Sequence, residues 1–190
     1  DLKGKVLIRS STNTYNQSLL ASIIAHEGKE KALAWAKSVV ANMAREPQGG
    51  DRDQMLAVIA GEGDLAVANT YYYGLLVKSE IPSEREAAAK LGVIFPNQAT
   101  TGAHTNIRGG GVIKTTKHEA EALKLMEYLV SDKAQEFFSV ANNEYPIKAG
   151  VPAPDTLKPW GDFKRDDLSL EEVGKLIPEA IKVFDEAGWK

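Results

Sequence analysis

Apolar residues in this chain follow two rhythms, and their alternation sets the expected architecture. Short runs at 5–9 (KVLIR), 64–68 (DLAVA, between Gly63 and Asn69) and 93–95 (VIF, ended by Pro96) predict short strands. Longer stretches repeat at helical spacing. Residues 17–26 carry Leu19, Leu20, Ile23 and Ile24 on one face, and 29–43 carry Leu33, Trp35, Ala36, Val39 and Val40. Asp51 suits the N-cap of a helix over 52–60, which Gly61 and Gly63 close. Residues 74–78 read as a short helix, and Ser83 precedes another at 84–91. Helices follow at 117–130 and 131–140, the second opened by Ser131 and Asp132. A last helix begins at Ser169, whose run Ser169-Leu170-Glu171-Glu172 has the pattern of a capping box. Strands alternating with helices predict an α/β fold with a mixed or parallel sheet covered on both faces.

Other stretches break these rhythms. Residues 102–113 (GAHTNIRGGGVI) are glycine-rich and alternate poorly, which suits an extended strand that crosses and changes direction. Residues 142–147 form a turn into a short extended piece, and 151–167 read as a loop around Pro152, Pro154, Pro159 and Trp160.

Composition narrows the function classes. The chain has 190 residues, 43% hydrophobic and 26% charged, with a net charge of -3 and interspersed signs. That is an ordinary globular balance without the basic stripe that nucleic acid or an anionic membrane requires. No apolar run approaches the roughly 20 residues that span a bilayer. The absence of cysteine excludes thiolate metal sites and disulfides within this sequence.

The candidate chemistry centres on Tyr71, Tyr72 and Tyr73, which lie between the strand expected at 64–68 and the helix expected at 74–78. In open α/β sheets ligands collect beyond the carboxyl ends of strands, so this junction faces a cleft. Phenolate is a hard anionic donor, but a free phenol has a pKa near 10 and yields its proton only to a strongly acidic cation. Fe³⁺ fits that demand best among common biological ions. Neighbouring side chains on a regular helix point about 100° apart, so two tyrosines are expected to share one ion only where the backbone is not yet regular. A core cluster or an aromatic shelf for an organic ligand explains the same three rings. The turn 10–16 (SSTNTYN) offers hydroxyls and amides for capping the next helix or, with its free N–H groups, for an anion, and Tyr15 is its odd member.

Five motifs in order carry a resemblance: KVLIRSSTNTYN at 5–16, PQGGDRDQ at 47–54, AGEGDLAVANTYYYG at 60–74, GAHTNIRGGGVI at 102–113 and NNEYPIKAG at 142–150. Together they resemble the bacterial periplasmic ferric-iron-binding proteins, the substrate-binding components of iron ABC transporters. The resemblance implies two lobes of type 2 periplasmic binding protein topology, a periplasmic or extracytoplasmic location, a membrane permease as partner and a monomer. It places Fe³⁺ on Tyr71 and Tyr72, adds Tyr15 as a third ligand, and leaves Tyr73 to pack. It also implies a small synergistic anion near Ser10, Ser11, Thr12 and Asn69, with Arg9 to offset its charge. Helix capping explains the three hydroxyls equally well, and a surface ion pair explains Arg9.

Set against the family pattern, the sequence corresponds to a C-terminal part. Residues 1–101 and 153–190 are expected to form the second lobe, and 102–152 to cross into the first, which an N-terminal segment outside this sequence would complete. A binding protein of the same architecture for a polyamine or another small organic molecule is the alternative, as is a half-site that depends on that segment. An enzyme built on Asp51, Asp53 or Glu62 lacks any nucleophile elbow, phosphate loop or paired-histidine motif to support it. His26 and His118 are expected to be solvated bystanders at helix ends, and His104 to be structural.

Overall fold

The computed structural model describes residues 2–190, so Asp1, at the start of the expected second lobe, lies outside the described residues. In chain order the elements are β1 (Val6–Leu7), α1 (Thr14–Glu27), α2 (Lys29–Asn42), α3 (Asp51–Ile59), β2 (Leu65–Ala66), α4 (Thr70–Val77) and α5 (Pro82–Ala88). Then come α6 (Glu119–Leu129), α7 (Asp132–Asn142), a 3-10 turn at Lys158–Trp160, and α8 (Leu170–Ala187).

The two strands pair in parallel, Val6 with Leu65 and Leu7 with Ala66, and Met43 adds one parallel bridge to Val6. Side chains of a strand alternate between faces. Accordingly Val67 and Ile8 join the larger core formed by α1, α2 and α8, while Ala66 and Ala68 join a smaller one around Met55, Leu76 and Ala88. The expected α/β layering, helices on both faces of a parallel sheet, is present. The sheet is smaller than expected. A strand persists only where neighbouring backbone completes its ladder, and among the described residues β1 finds only β2 and Met43.

The same reasoning accounts for two corrections. Residues 93–95 form no strand: Ile94 is 81% exposed and Phe95 stacks on Phe163 at 4.0 Å instead. The segment 102–113 makes ladder contact only at Ala103, which bridges Arg165. There the Ala103 N–H donates to Lys164 O and the Asp166 N–H to Ala103 O, both at 2.9 Å. Gly102 (φ 94) permits this approach, since a Cβ there would lie 2.7 Å from the Arg165 carbonyl.

Helix starts follow their caps. Asn13 Oδ1 accepts the Tyr15 N–H at 3.0 Å, so α1 begins three residues ahead of its predicted start. Gly50 precedes α3 as its N-cap, which makes Asp51 the first helical residue rather than the cap. Pro82 opens α5 at its first position, which places Ser83 inside. Ser131 and Ser169 cap α7 and α8 as predicted, accepting from Ala134 N and Glu171 N.

The end of the chain locks the opening turn. Trp189, 3% exposed, packs edge-on against Phe184 at 4.9 Å and donates its indole N–H to Arg9 O at 3.1 Å. The Ser11 N–H donates to Lys190 O at 3.0 Å. The turn that bears Arg9 and leads to Tyr15 is therefore fixed by the core that α8 closes.

Candidate metal centre

Tyr15 lies in the first turn of α1, and Tyr71 and Tyr72 in the first turn of α4. Both helices start beyond strand ends at one edge of the small sheet, so their first turns meet. The Tyr15 and Tyr71 hydroxyls are 3.1 Å apart, and the rings of Tyr71 and Tyr72 lie 4.0 Å apart at 31°. The Tyr72 hydroxyl interacts with Tyr71 and with the Arg9 guanidinium. Three half-buried phenols thus share one corner. The expectation that adjacent tyrosines converge only on irregular backbone is corrected: Thr70 is already helical, and two long side chains one residue apart still come together at a helix start.

The electrostatics of the corner favour protonated phenols until a cation arrives. Burial, then hydrogen bonds from Tyr15 and Tyr72, push the Tyr71 hydroxyl well above the ordinary phenol value. Burial opposes the Arg9 charge, but the Asp51 carboxylate and Tyr72 outweigh it and hold the guanidinium firmly protonated. Arg9 also lies 5.7 Å from the centre of the Tyr15 ring, and Arg108 lies 5.9 Å from that of Tyr71. A hard cation bound here would displace phenol protons beside guanidinium groups whose charges are already paired, Arg9 with Asp51 and Arg108 with Glu144.

Asp51, which sequence reasoning weighed only as a cap or an acid, is the organising carboxylate. It is 2% exposed, and Oδ1 accepts from Arg9 Nη1 at 3.1 Å while Oδ2 accepts from Asn69 N at 2.6 Å and Asn69 Nδ2 at 2.9 Å. Asn69 precedes α4 as its N-cap, but its side chain is spent on Asp51 and on Asn106, whose Nδ2 donates to Asn69 Oδ1 at 3.0 Å. Asn106 in turn accepts from Ser18 Oγ at 2.8 Å, and His104 Nε2 lies 3.1 Å from the same hydroxyl. This net ties α1, α4 and the crossing segment together. The signals were in PQGGD and GAHTN, which appeared only as motifs.

Other predicted residues fall into place around this centre. Tyr73 packs, as expected: its hydroxyl donates to Ala88 O and Leu91 O at 3.1 and 3.0 Å, and its ring meets Trp160. Ser10 and Thr12 hydroxyls bond to each other at 2.7 Å, and Ser11 O accepts from Gln17 Nε2, so the turn is held from within. The cap of α1 is Asn13, not one of these hydroxyls. His118 is an exposed residue at the start of α6 and His104 is part of the net, as expected. His26 is not a bystander: its Nε2 lies 3.0 Å from both oxygens of Asp166, a carboxylate 4% exposed that anchors the returning segment to α1. Burial pushes the His104 imidazole below its ordinary value. The carboxylates weighed for an enzyme do not converge, because Asp51 serves Arg9 and Asn69, Asp53 accepts from Gly50 N, and Glu62 pairs with Arg45. Among the described residues no three His, Cys, Asp or Glu side chains gather as a metal site.

The sequence matches the family model of bacterial extracellular solute-binding proteins over residues 1–166. The chain belongs to this family. It is 50% identical to iron uptake protein A1 of Synechocystis over 99% of its own length and 52% of that protein. Its fold superposes on a Trichodesmium protein solved in complex with iron and citrate, at a TM-score of 0.96 and 50% identity, covering all of this chain and 60% of that one. It superposes equally well on a ferric binding protein from Campylobacter jejuni, at 0.95 and 44% identity, again covering 60% of that chain. The fold is therefore that of type 2 periplasmic binding proteins, and the chain spans about half the length of the curated relatives it matches.

Proposed function

We propose that this chain is the C-terminal part of an extracytoplasmic substrate-binding protein that takes up Fe³⁺ through the phenolates of Tyr15, Tyr71 and Tyr72 and delivers it to the permease of an ABC transporter. The observation that carries this reading is the meeting of the Tyr15 and Tyr71 hydroxyls at 3.1 Å, with the Tyr72 ring alongside, from helices 56 residues apart in sequence. Relatives of this chain are named for iron uptake and ferric iron binding, which supports the choice of cation.

Three phenolates neutralise the charge of Fe³⁺, and positions they leave open accept a small anion such as citrate. Of the residues that resemble anion contacts, Arg9 interacts with the Tyr72 hydroxyl, Asn69 immediately precedes the helix of Tyr71 and Tyr72, and the turn of Ser10, Ser11 and Thr12 leads into Tyr15. Protonation of the phenolates, or reduction to Fe²⁺ by an external one-electron donor, weakens the charge match and releases the ion. No substrate bond is made or broken in this cycle.

In this reading residues 1–101 and 153–190 are the second lobe, and 102–152 cross into the first. Two features support it. The chain doubles back beside itself at Ala103 and Arg165, as two crossing strands do. Beyond that point α6 buries none of its residues, and Phe137, Leu125 and Val140 are more than half exposed. An N-terminal segment of the whole protein would cover that surface, and hinge closure of the two lobes would shield the ion.

The test is a titration of the whole protein with ferric citrate, read in the visible region and by metal analysis. The reading expects one equivalent of iron and a phenolate-to-iron charge-transfer band that Tyr71→Phe with Tyr72→Phe abolishes. A band unchanged in the double variant, or tight binding of a polyamine with no response to iron, would overturn it.

A further inference from the structure

Most of the net around the phenols passes through one carboxylate. Asp51 touches no phenol, yet it meets both groups that fix where the phenols stand: Arg9, which reaches the Tyr72 hydroxyl, and Asn69, which starts the helix carrying Tyr71 and Tyr72. The pattern of donors shows why a carboxylate occupies this position. Oδ1 faces a guanidinium N–H, and Oδ2 faces a backbone N–H and an amide N–H. All three groups are donors, so both oxygens must accept. The isosteric amide of asparagine has one acceptor and one donor. Whichever way such an amide turned, its NH₂ would confront either Arg9 or Asn69.

Burial raises the stakes. At 2% exposure the site gives water little room to compensate, and a guanidinium that lost its carboxylate would be left beside the phenols with its charge unbalanced. Asn69 has no slack either. Its backbone N–H and side-chain Nδ2 both go to Asp51, and its Oδ1 goes to Asn106, so it makes no side-chain cap of its own helix. The start of α4 is thus held by Asp51 from one side and by the crossing segment from the other.

We propose that Asp51 is a positioning residue of the ferric centre: it acts through Arg9 on the charge beside Tyr72 and through Asn69 on the placement of Tyr71 and Tyr72. This rests on the ferric reading above. Asp51 binds neither ion nor anion, and its effect reaches the iron through Arg9, which interacts with the Tyr72 hydroxyl, and through Asn69, whose carbonyl accepts the Tyr72 backbone N–H at 3.2 Å. Arg9 and Asp51 together are neutral, so the three phenolates and Fe³⁺ balance without them. Loss of the Asp51 charge leaves Arg9 as a net positive neighbour, which lowers the donor strength of Tyr72 and repels the ion.

The experiment compares wild type, Asp51→Asn and Arg9→Gln in the whole protein, each loaded with ferric citrate. Three readouts are taken: the maximum of the charge-transfer band, the transfer of iron to a competing chelator, and thermal stability without iron. The proposal expects Asp51→Asn to shift the band and to hold iron about 10- to 100-fold more weakly, as is usual for outer groups that orient metal ligands. Arg9→Gln should shift the band by a different amount, because it removes the guanidinium but leaves the Asn69 arm intact. A lower melting temperature in Asp51→Asn with an unmoved band and wild-type chelator transfer would make the carboxylate structural only and overturn the proposal. Should Asp51→Asn fail to fold, Arg9→Gln decides it, since an unmoved band there removes the first arm through which Asp51 is argued to act. A wild type with no band at all would instead sink the ferric reading itself.

Discussion

The body formed by α1, α2 and α8 and the pair α6–α7 are both built from amphipathic helices, yet they end up in opposite states. In the first, Leu20, Ala32, Ala36, Ala180 and Val183 are completely buried and Phe184 and Trp189 close the core. In the second, α6 buries nothing, and α7 buries only Ala134 and Ser139 while Phe137 stands 67% exposed. An apolar stripe is clear on α6, α7 and α8 and weaker on α1 and α2, so the stripe by itself does not decide burial; a partner surface does. The phenol corner spans both cores: Tyr15 lies on α1, and Tyr71 and Tyr72 on α4, which packs on α3 and α5 and also touches α7. The phenols meet on helices whose cores are buried, whereas α6 presents its apolar residues to solvent.

This contrast can be broken by truncating each region. Phe184→Ala should cost about 3–5 kcal/mol, the range for deleting a buried aromatic side chain, measured by urea unfolding. In this chain alone Phe137→Ala should cost less than about 0.5 kcal/mol, as surface changes do. Equal losses would contradict the contrast. A much larger loss for Phe137→Ala in the whole protein would sharpen it, since that is what a covering segment requires.

Gly74→Ala tests the join between the two regions. Alanine favours a helix interior by about 1 kcal/mol over glycine, but a Cβ here would clash with Asn143 Cβ, the residue that ends α7 in a left-handed conformation at φ 57. Asn143 is wholly buried with no partner for either side-chain polar atom and has nowhere to retreat. The clash should win, for a net loss of about 1–3 kcal/mol, again by urea unfolding. A stabilised variant would show that α7 moves freely against α4.

Much of this organisation was legible. The place of Tyr15 and the packing of Tyr73 follow from the resemblance, and the helices of the body from their spacing, whereas Arg9 is expected only as a counter-charge to an anion or in a surface pair and instead pairs with Asp51 beside Tyr72. Strand lengths were not legible, because a ladder depends on partners far away in sequence: β1 pairs across 59 positions with β2. Nor was the work of Asp51, since an aspartate at a helix start looks the same whether it caps or reaches elsewhere. His26 was misread for a similar reason. Its partner Asp166 lies 140 residues away, and nothing local to the helix end points there.

Proton effects give smaller expected changes. The raised Tyr71 hydroxyl keeps its proton through neutral pH, so iron must displace it, and apparent affinity should rise about tenfold per pH unit for each phenol proton released. Affinity measured from pH 6 to 8 that stays flat would contradict this. For the folded protein without iron, His104 acts in the same direction, favouring higher pH. Its depressed value stabilises the fold above the ordinary histidine range, near 6.5, and that contribution fades as pH falls below it. Thermal unfolding should therefore show a small acid loss that His104→Gln removes.

The most direct measurement is a crystal structure of the whole protein grown with ferric citrate, with anomalous data collected at the iron edge. The account predicts one strong peak bonded to the hydroxyl oxygens of Tyr15, Tyr71 and Tyr72, with Arg9 and Asp51 still paired behind them. A peak elsewhere, or one that leaves any of the three phenols outside bonding distance, would contradict it.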